Sequence, residues 1–133
     1  MSRPIPIGTR GEAEETVELR HTLAGHRPEL PPVYSTPAMI LLMEIACANA
    51  LQPFCGEGEI TVGTSIHIEH RAASGIGMHV RAMAELASFD GRFYTLRVSA
   101  HDGEKEIGRG TIGRAMVHVP TFLARMQKKA AKQ

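Results

Sequence analysis

A chain of 133 residues fits one domain, long enough to bury a core and too short for two. With 43% hydrophobic residues, 22% charged residues and a net charge near +1, it has the composition of a soluble globular protein and no electrostatic footprint for nucleic acid or a membrane surface. Its two cysteines, Cys47 and Cys55, match neither a zinc knuckle nor a redox pair, which excludes a cysteine-built metal site and fits a reducing cytoplasm.

The N-terminal "MSRPIPIGTRGEAEE" lacks the apolar core of a signal peptide, and residues 1–12 read as a peripheral leader. "EETVELRHTL" alternates, with Val17, Leu19 and Leu23 on one face, and is expected to form a first strand. "AGHRPELPPVYS" carries three prolines and reads as an irregular surface loop, placed as a lid just before a helix. Thr36 before Pro37 is the expected N-cap of that helix, since proline restricts the preceding residue and suits the first helical position. The helix runs to about Gln52 and stops at Pro53. Its apolar run, Pro37 to Leu51, is interrupted by Glu44 and short for a membrane span, so it reads as a buried helix.

Four strand-like stretches follow: "ITVGTSIHIEHRA", "GMHVRAMAELASFD", "RFYTLRVSAHDG" and "EKEIGRGTIGRAMVHV". Asp90-Gly91 and Asp102-Gly103 lie at joins and signal tight hairpins, because glycine accepts positive φ. An antiparallel meander of all four strands is therefore expected, bent near Gly108, Gly110 and Gly113. Residues 121–133 form a short peripheral helix with a basic end. One strand, a lid, a long buried helix and a curved antiparallel sheet around it give an α+β chain in the element order of a hot-dog fold, one domain over residues 1–133.

Glu44 is the chemical anomaly. A carboxylate among Met43, Ile45, Ala46 and Cys47 costs several kcal/mol to desolvate unless it is paired, protonated or facing a polar cavity. Few other polar side chains mark a solvent face on the helix: at 100° per residue Asn49 lies ~140° away and Gln52 ~80° away. Among the seven histidines, His70 is in phase with Val62, Ile66 and Ile68 and so is expected to face the helix. His79 and His101 share faces with charged or polar residues and read as solvated, whereas His21 and His118 stay as rivals. Thr36 adds a hydroxyl at a helix N-terminus, where free amides favour developing negative charge. A carboxylate, a histidine, a hydroxyl and an amide-lined oxyanion position are the parts of an acyl-transfer site.

"STPAMILLMEIACANALQPF", "GEGEITVGTSIHIEHRAA" and "LRVSAHDGEKEIGRGTIGRAMVH" together resemble the fluoroacetyl-CoA thioesterase group of hot-dog proteins, from the lid to His118. The resemblance implies a homodimeric acyl-CoA thioesterase, with an active site at the subunit interface built from Thr36, Glu44 and His70. It also implies substrate-binding roles for Gly63 and Arg114. An aromatic residue gates the acyl pocket in the fluoroacetyl-specific member. Leu30 stands at that lid position here, which detaches fluoroacetate selectivity from thioester hydrolysis, and Tyr34 is the nearby aromatic that could substitute.

The expected activity is hydrolysis of a small or short-chain acyl-CoA, with Glu44 as general base or nucleophile and the coenzyme A phosphates contacted by Arg71 or Arg114. Coenzyme A enters as part of the substrate, and no separate cofactor or metal is expected. Dimers could pair further into a dimer of dimers. A non-catalytic acyl-CoA-binding module and a hot-dog enoyl-CoA hydratase are the alternatives.

Overall fold

The computed structural model describes residues 3–133. A long helix lies in the concave face of a curled five-stranded antiparallel sheet, the α+β hot-dog arrangement. The strands are β1 (Arg10–Thr16), β2 (Glu59–His70), β3 (His79–Phe89), β4 (Phe93–Asp102) and β5 (Lys105–His118). The helices are α1 (Leu23–His26), the central α2 (Thr36–Leu51) and α3 (Val119–Ala131).

The central helix forms where expected, with a different first residue. Ser35, not Thr36, is the N-cap: its hydroxyl accepts from the Ala38 amide at 3.2 Å, and Thr36 begins the helix with Pro37 second. Both serine and threonine can cap, and Ser35 is held in place by its backbone N–H, which donates to the His21 carbonyl. A 3₁₀ turn over Gln52–Phe54 ends the helix at Pro53.

By length and composition Thr36–Phe54 could cross a membrane. In the fold, Met39, Leu42, Met43, Ala46, Cys47, Ala50 and Leu51 are buried instead against the sheet. Each of the larger side chains contributes about 1.5–3 kcal/mol on burial. The facing surface is supplied by alternate residues, Val80, Ala82, Ala84 and Leu86 on β3 and Leu96, Val98 and Ala100 on β4. Small residues let the helix come close. At Gly11 on β1 a Cβ would overlap the Ala46 carbonyl and the Ala50 amide, so only glycine permits that approach.

Strand order departs from the expected four-strand meander. The sheet runs β1-β3-β4-β5-β2, so only β3, β4 and β5 are a meander. β2 pairs with β5 rather than β3, and its other edge is unpaired among the described residues. Both Asp-Gly joins are hairpins. Asp90 Oδ1 accepts from the amides of Arg92 and Phe93, Gly91 takes φ 100°, and Gly103 takes φ 62°.

The first strand also shifts. It covers "RGEAEET", starting inside the segment expected as leader and ending before Val17. Leu19–His21 form a 3₁₀ turn and Leu23–His26 the short helix α1, so Val17, Leu19 and Leu23 do not share a strand face. Thr22 caps α1 through its hydroxyl, which accepts from the Gly25 amide, a local turn that competes with extension of the strand.

A register break in β2 matters most for the site. Pairing with β5 skips Thr64, between Gly63↔Arg114 and Ser65↔Gly113. The bulge reverses the strand's phase: Thr61 and Gly63 face the helix before it, and Ile68 and His70 after it. Val62 therefore lies out of phase with Ile66, Ile68 and His70, contrary to simple alternation through Gly63-Thr64.

Candidate active site

Thr36 and His70 meet at the N-terminus of α2. Thr36 is its first residue, His70 is the last residue of β2, and Thr36 Oγ1 lies 2.8 Å from His70 Nδ1. The other ring nitrogen, Nε2, is buried without a hydrogen-bond partner. In the tautomer where the Thr36 hydroxyl donates to Nδ1, the neutral ring carries its proton on Nε2, directed into the adjoining space. Burial pushes the His70 pKa below its ordinary value of 6.5, partly opposed by the Ala72 backbone.

The consequence for stability has a definite sign. Around pH 6.5 and below, the folded chain binds fewer protons at His70 than the unfolded chain, so stability is full above 6.5 and falls as the pH drops toward the folded pKa. The urea midpoint of the wild type should be lower at pH 5.5 than at pH 7.5. In His70→Gln that difference should shrink, and an identical difference would remove His70 as its source.

Glu44 sits in the middle of α2, and its side chain keeps 27% of its exposure. Arg114 of β5 answers the charge: Nη1 donates to Glu44 Oε2 at 3.0 Å. The guanidinium is itself anchored on β2, Nε donating to Thr61 Oγ1 at 3.1 Å and Nη2 to the Thr61 carbonyl at 2.7 Å. Arg114 is 7% exposed, so it serves Glu44 and is not a surface contact for a phosphate. Gly63 faces the same carboxylate, and a Cβ there would overlap Glu44 Oε2. Cys47, one turn along the helix, has its thiol pushed up to about 12 by burial, with Arg114 lowering and Glu44 raising it, so it remains protonated.

Two clusters are thus built within one chain, Thr36–His70 and Glu44–Arg114–Gly63. Thr36 and Glu44 are eight residues apart on one helix, which separates them by ~12 Å along its axis. Thr36, Glu44 and His70 therefore do not converge inside a single chain. Thr61 escaped sequence reasoning because the bulge hid its phase; the Gly-Thr-Ser run at 63–65 was the available signal.

The remaining candidates fall elsewhere. Leu30 lies on the lid, 37% exposed. Tyr34 is not a gate. Its ring is buried, edge-on to His21, and its hydroxyl donates to Glu15 Oε2 at 2.6 Å. Burial and the Glu15 carboxylate both push its pKa well above the ordinary value. His21 Nδ1 accepts from the Glu18 amide, and His118 Nδ1 lies 2.9 Å from Thr121 Oγ1, so neither rival reaches the two clusters. Arg71 is exposed and paired with Glu69. Among the described residues no three His, Cys, Asp or Glu side chains are grouped to hold a metal ion.

The model of the fluoroacetyl-CoA-specific thioesterase family, FlK, matches residues 17–120. The chain belongs to this family. It is 46% identical over 101 residues to the fluoroacetyl-CoA thioesterase of Streptantibioticus cattleyicolor, covering 76% of this chain and 73% of that one. The solved structure of the fluoroacetyl-CoA thioesterase FlK superimposes with a TM-score of 0.88 at 38% identity, over 96% of this chain and 98% of that one. A Thermus thermophilus member of the thioesterase superfamily superimposes with a TM-score of 0.90 at 28% identity, covering 98% and 96% of the two chains. The chain is accordingly an acyl-CoA thioester hydrolase of hot-dog fold.

Proposed function

We propose that two copies of this chain pair through β2 and hydrolyse the thioester of a small acyl-CoA between them. The observation that carries the proposal is the separation of the two clusters beside a free strand edge. That edge exposes Ile60 and Ile66, and the neighbouring face of α2 exposes Leu41 and Ile45. Antiparallel pairing of two β2 edges is isologous and reverses the strand direction across the two-fold axis. It carries the partner subunit's Thr36 and the partner subunit's His70 toward Glu44, and reciprocally.

In that site the Glu44 carboxylate, aligned by Arg114, activates a water or attacks the thioester carbonyl itself. Free amides at the start of α2 receive the oxyanion, and the Thr36–His70 pair positions and relays the proton to the departing thiolate. Water adds to the acyl carbon, the carbon–sulfur bond breaks, and the products are the free acid and the coenzyme A thiol. Single turnover in ¹⁸O water tests the two roles of Glu44: direct attack of water on the acyl carbon puts all label in the released acid, whereas an anhydride opened at its Glu44 carbonyl leaves label in that carboxylate.

Leu30 on the lid, in place of an aromatic gate, supports acceptance of small acyl groups without selectivity for fluoroacetyl-CoA, the substrate that names the Streptantibioticus relative. The free thiols of Cys47 and Cys55 support operation in a reducing compartment such as the cytoplasm. A panel of acetyl-, fluoroacetyl-, propionyl- and butyryl-CoA, read by release of free thiol, is the deciding experiment. Turnover of at least one is the expected result. Binding without release would indicate an acyl-CoA-binding module, and conversion of an enoyl-CoA without thiol release a hydratase.

A further inference from the structure

We infer that the Thr61 hydroxyl is a positioning group for catalysis: by fixing the plane of the Arg114 guanidinium it sets where the Glu44 carboxylate stands. The inference rests on the reading of Glu44 as the reacting carboxylate.

A guanidinium is planar, with its donors in a rigid fork. All three Arg114 nitrogens are committed, two to Thr61 and one to Glu44. Thr61 is paired with Met116 across the ladder, which places it two residues along from Arg114 on the same face, the diagonal neighbour that a long side chain reaches. The bond from Nη2 to the Thr61 carbonyl is a single point of attachment, about which the guanidinium could pivot. The second bond, from Nε to the hydroxyl, removes that freedom and directs Nη1 at Glu44 Oε2. Thr61 is 7% exposed and lies behind Arg114, so it acts through the arginine and touches no substrate.

Glu44 needs this support because Arg114 is the only side chain among the described residues that bonds its carboxylate, which otherwise lies against Gly63 and keeps 27% of its exposure. Without the hydroxyl, the carboxylate and guanidinium can shift together toward the solvent side while remaining paired. Binding of the acyl-CoA would then be little changed, while the alignment required for reaction would be lost.

Thiol release by Thr61→Val and Thr61→Ser tests this, with melting temperature as the fold control. Valine keeps the shape and the backbone carbonyl but removes the hydroxyl. We expect kcat about 10-fold lower with KM within about twofold of wild type, and recovery to within about twofold in Thr61→Ser. Should valine prevent folding, Thr61→Ala removes the hydroxyl without adding bulk and is read in the same way. In a Glu44→Gln background the Thr61→Val change should have no further effect on kcat. Wild-type kcat in Thr61→Val, equal losses in the valine and serine variants, or an undiminished loss in the Glu44→Gln background would each overturn the role of Thr61. The reading it rests on fails separately, if Glu44→Gln itself turns over like the wild type.

Discussion

Glu44→Gln should lower the rate of thiol release by on the order of a hundredfold or more while leaving the fold in place. The amide is nearly isosteric with the carboxylate, and its oxygen can still accept from Arg114 Nη1, which stands 3.0 Å from Glu44 Oε2. Shape and one hydrogen bond are therefore conserved. An amide, however, can neither take a proton from water near neutral pH nor attack a thioester carbonyl. The charge-assisted bond also becomes a weaker neutral one, a small effect on stability for a residue that keeps a quarter of its exposure. The measurement is kcat on the best acyl-CoA of the panel, with melting temperature as a control. A rate within a few fold of wild type would remove Glu44 from the mechanism and return it to a structural partner of Arg114.

Arg114→Met should cost both activity and stability. Methionine fills much of the aliphatic volume but leaves the Glu44 carboxylate unpaired and the Thr61 carbonyl without its donor. Removing one partner of a fully buried ion pair costs 3–5 kcal/mol. Glu44 is only partly buried and water can reach it, so about 2 kcal/mol is expected here. The urea midpoint should fall accordingly, and kcat should drop at least about 10-fold because the carboxylate loses its alignment. Unchanged stability would show that solvent already compensates Glu44, and that the pair seen in the isolated chain has no energetic weight.

These two substitutions separate what the charge does from what holds it. Glutamine keeps the partner and removes the chemistry, whereas methionine keeps the carboxylate and removes the partner. If both lose activity but only Arg114→Met loses stability, Glu44 is retained for reaction and Arg114 makes its retention affordable. That pattern would also explain how a helix apolar on nearly every side tolerates a carboxylate at its centre.

Much of the architecture is legible in local sequence because local physics sets it. Proline before and after the apolar run bounds the central helix, Asp-Gly pairs place two hairpins, and period-two alternation locates four strands. The same logic singled out Glu44 as a charge without a local partner, Thr36 at the helix start and His70 on a helix-facing position. It could not choose between Ser35 and Thr36 as the cap. Both residues can make the bond, and a distant contact with His21 settles which one does.

What tertiary structure alone decided involves pairs far apart in the chain. β2 lies beside β5 and not β3, because the order of strands depends on how the sheet closes around the helix, not on the pattern within any strand. The bulge at Thr64 arises from mismatch against β5 and reverses which residues face inward. Tyr34, which a sequence-based reading places on the lid, is drawn into the core by Glu15 and His21. Above all, Glu44 finds Arg114 at a separation of 70 residues. Periodicity reports which face a side chain occupies, but only the folded sheet determines what waits for it there.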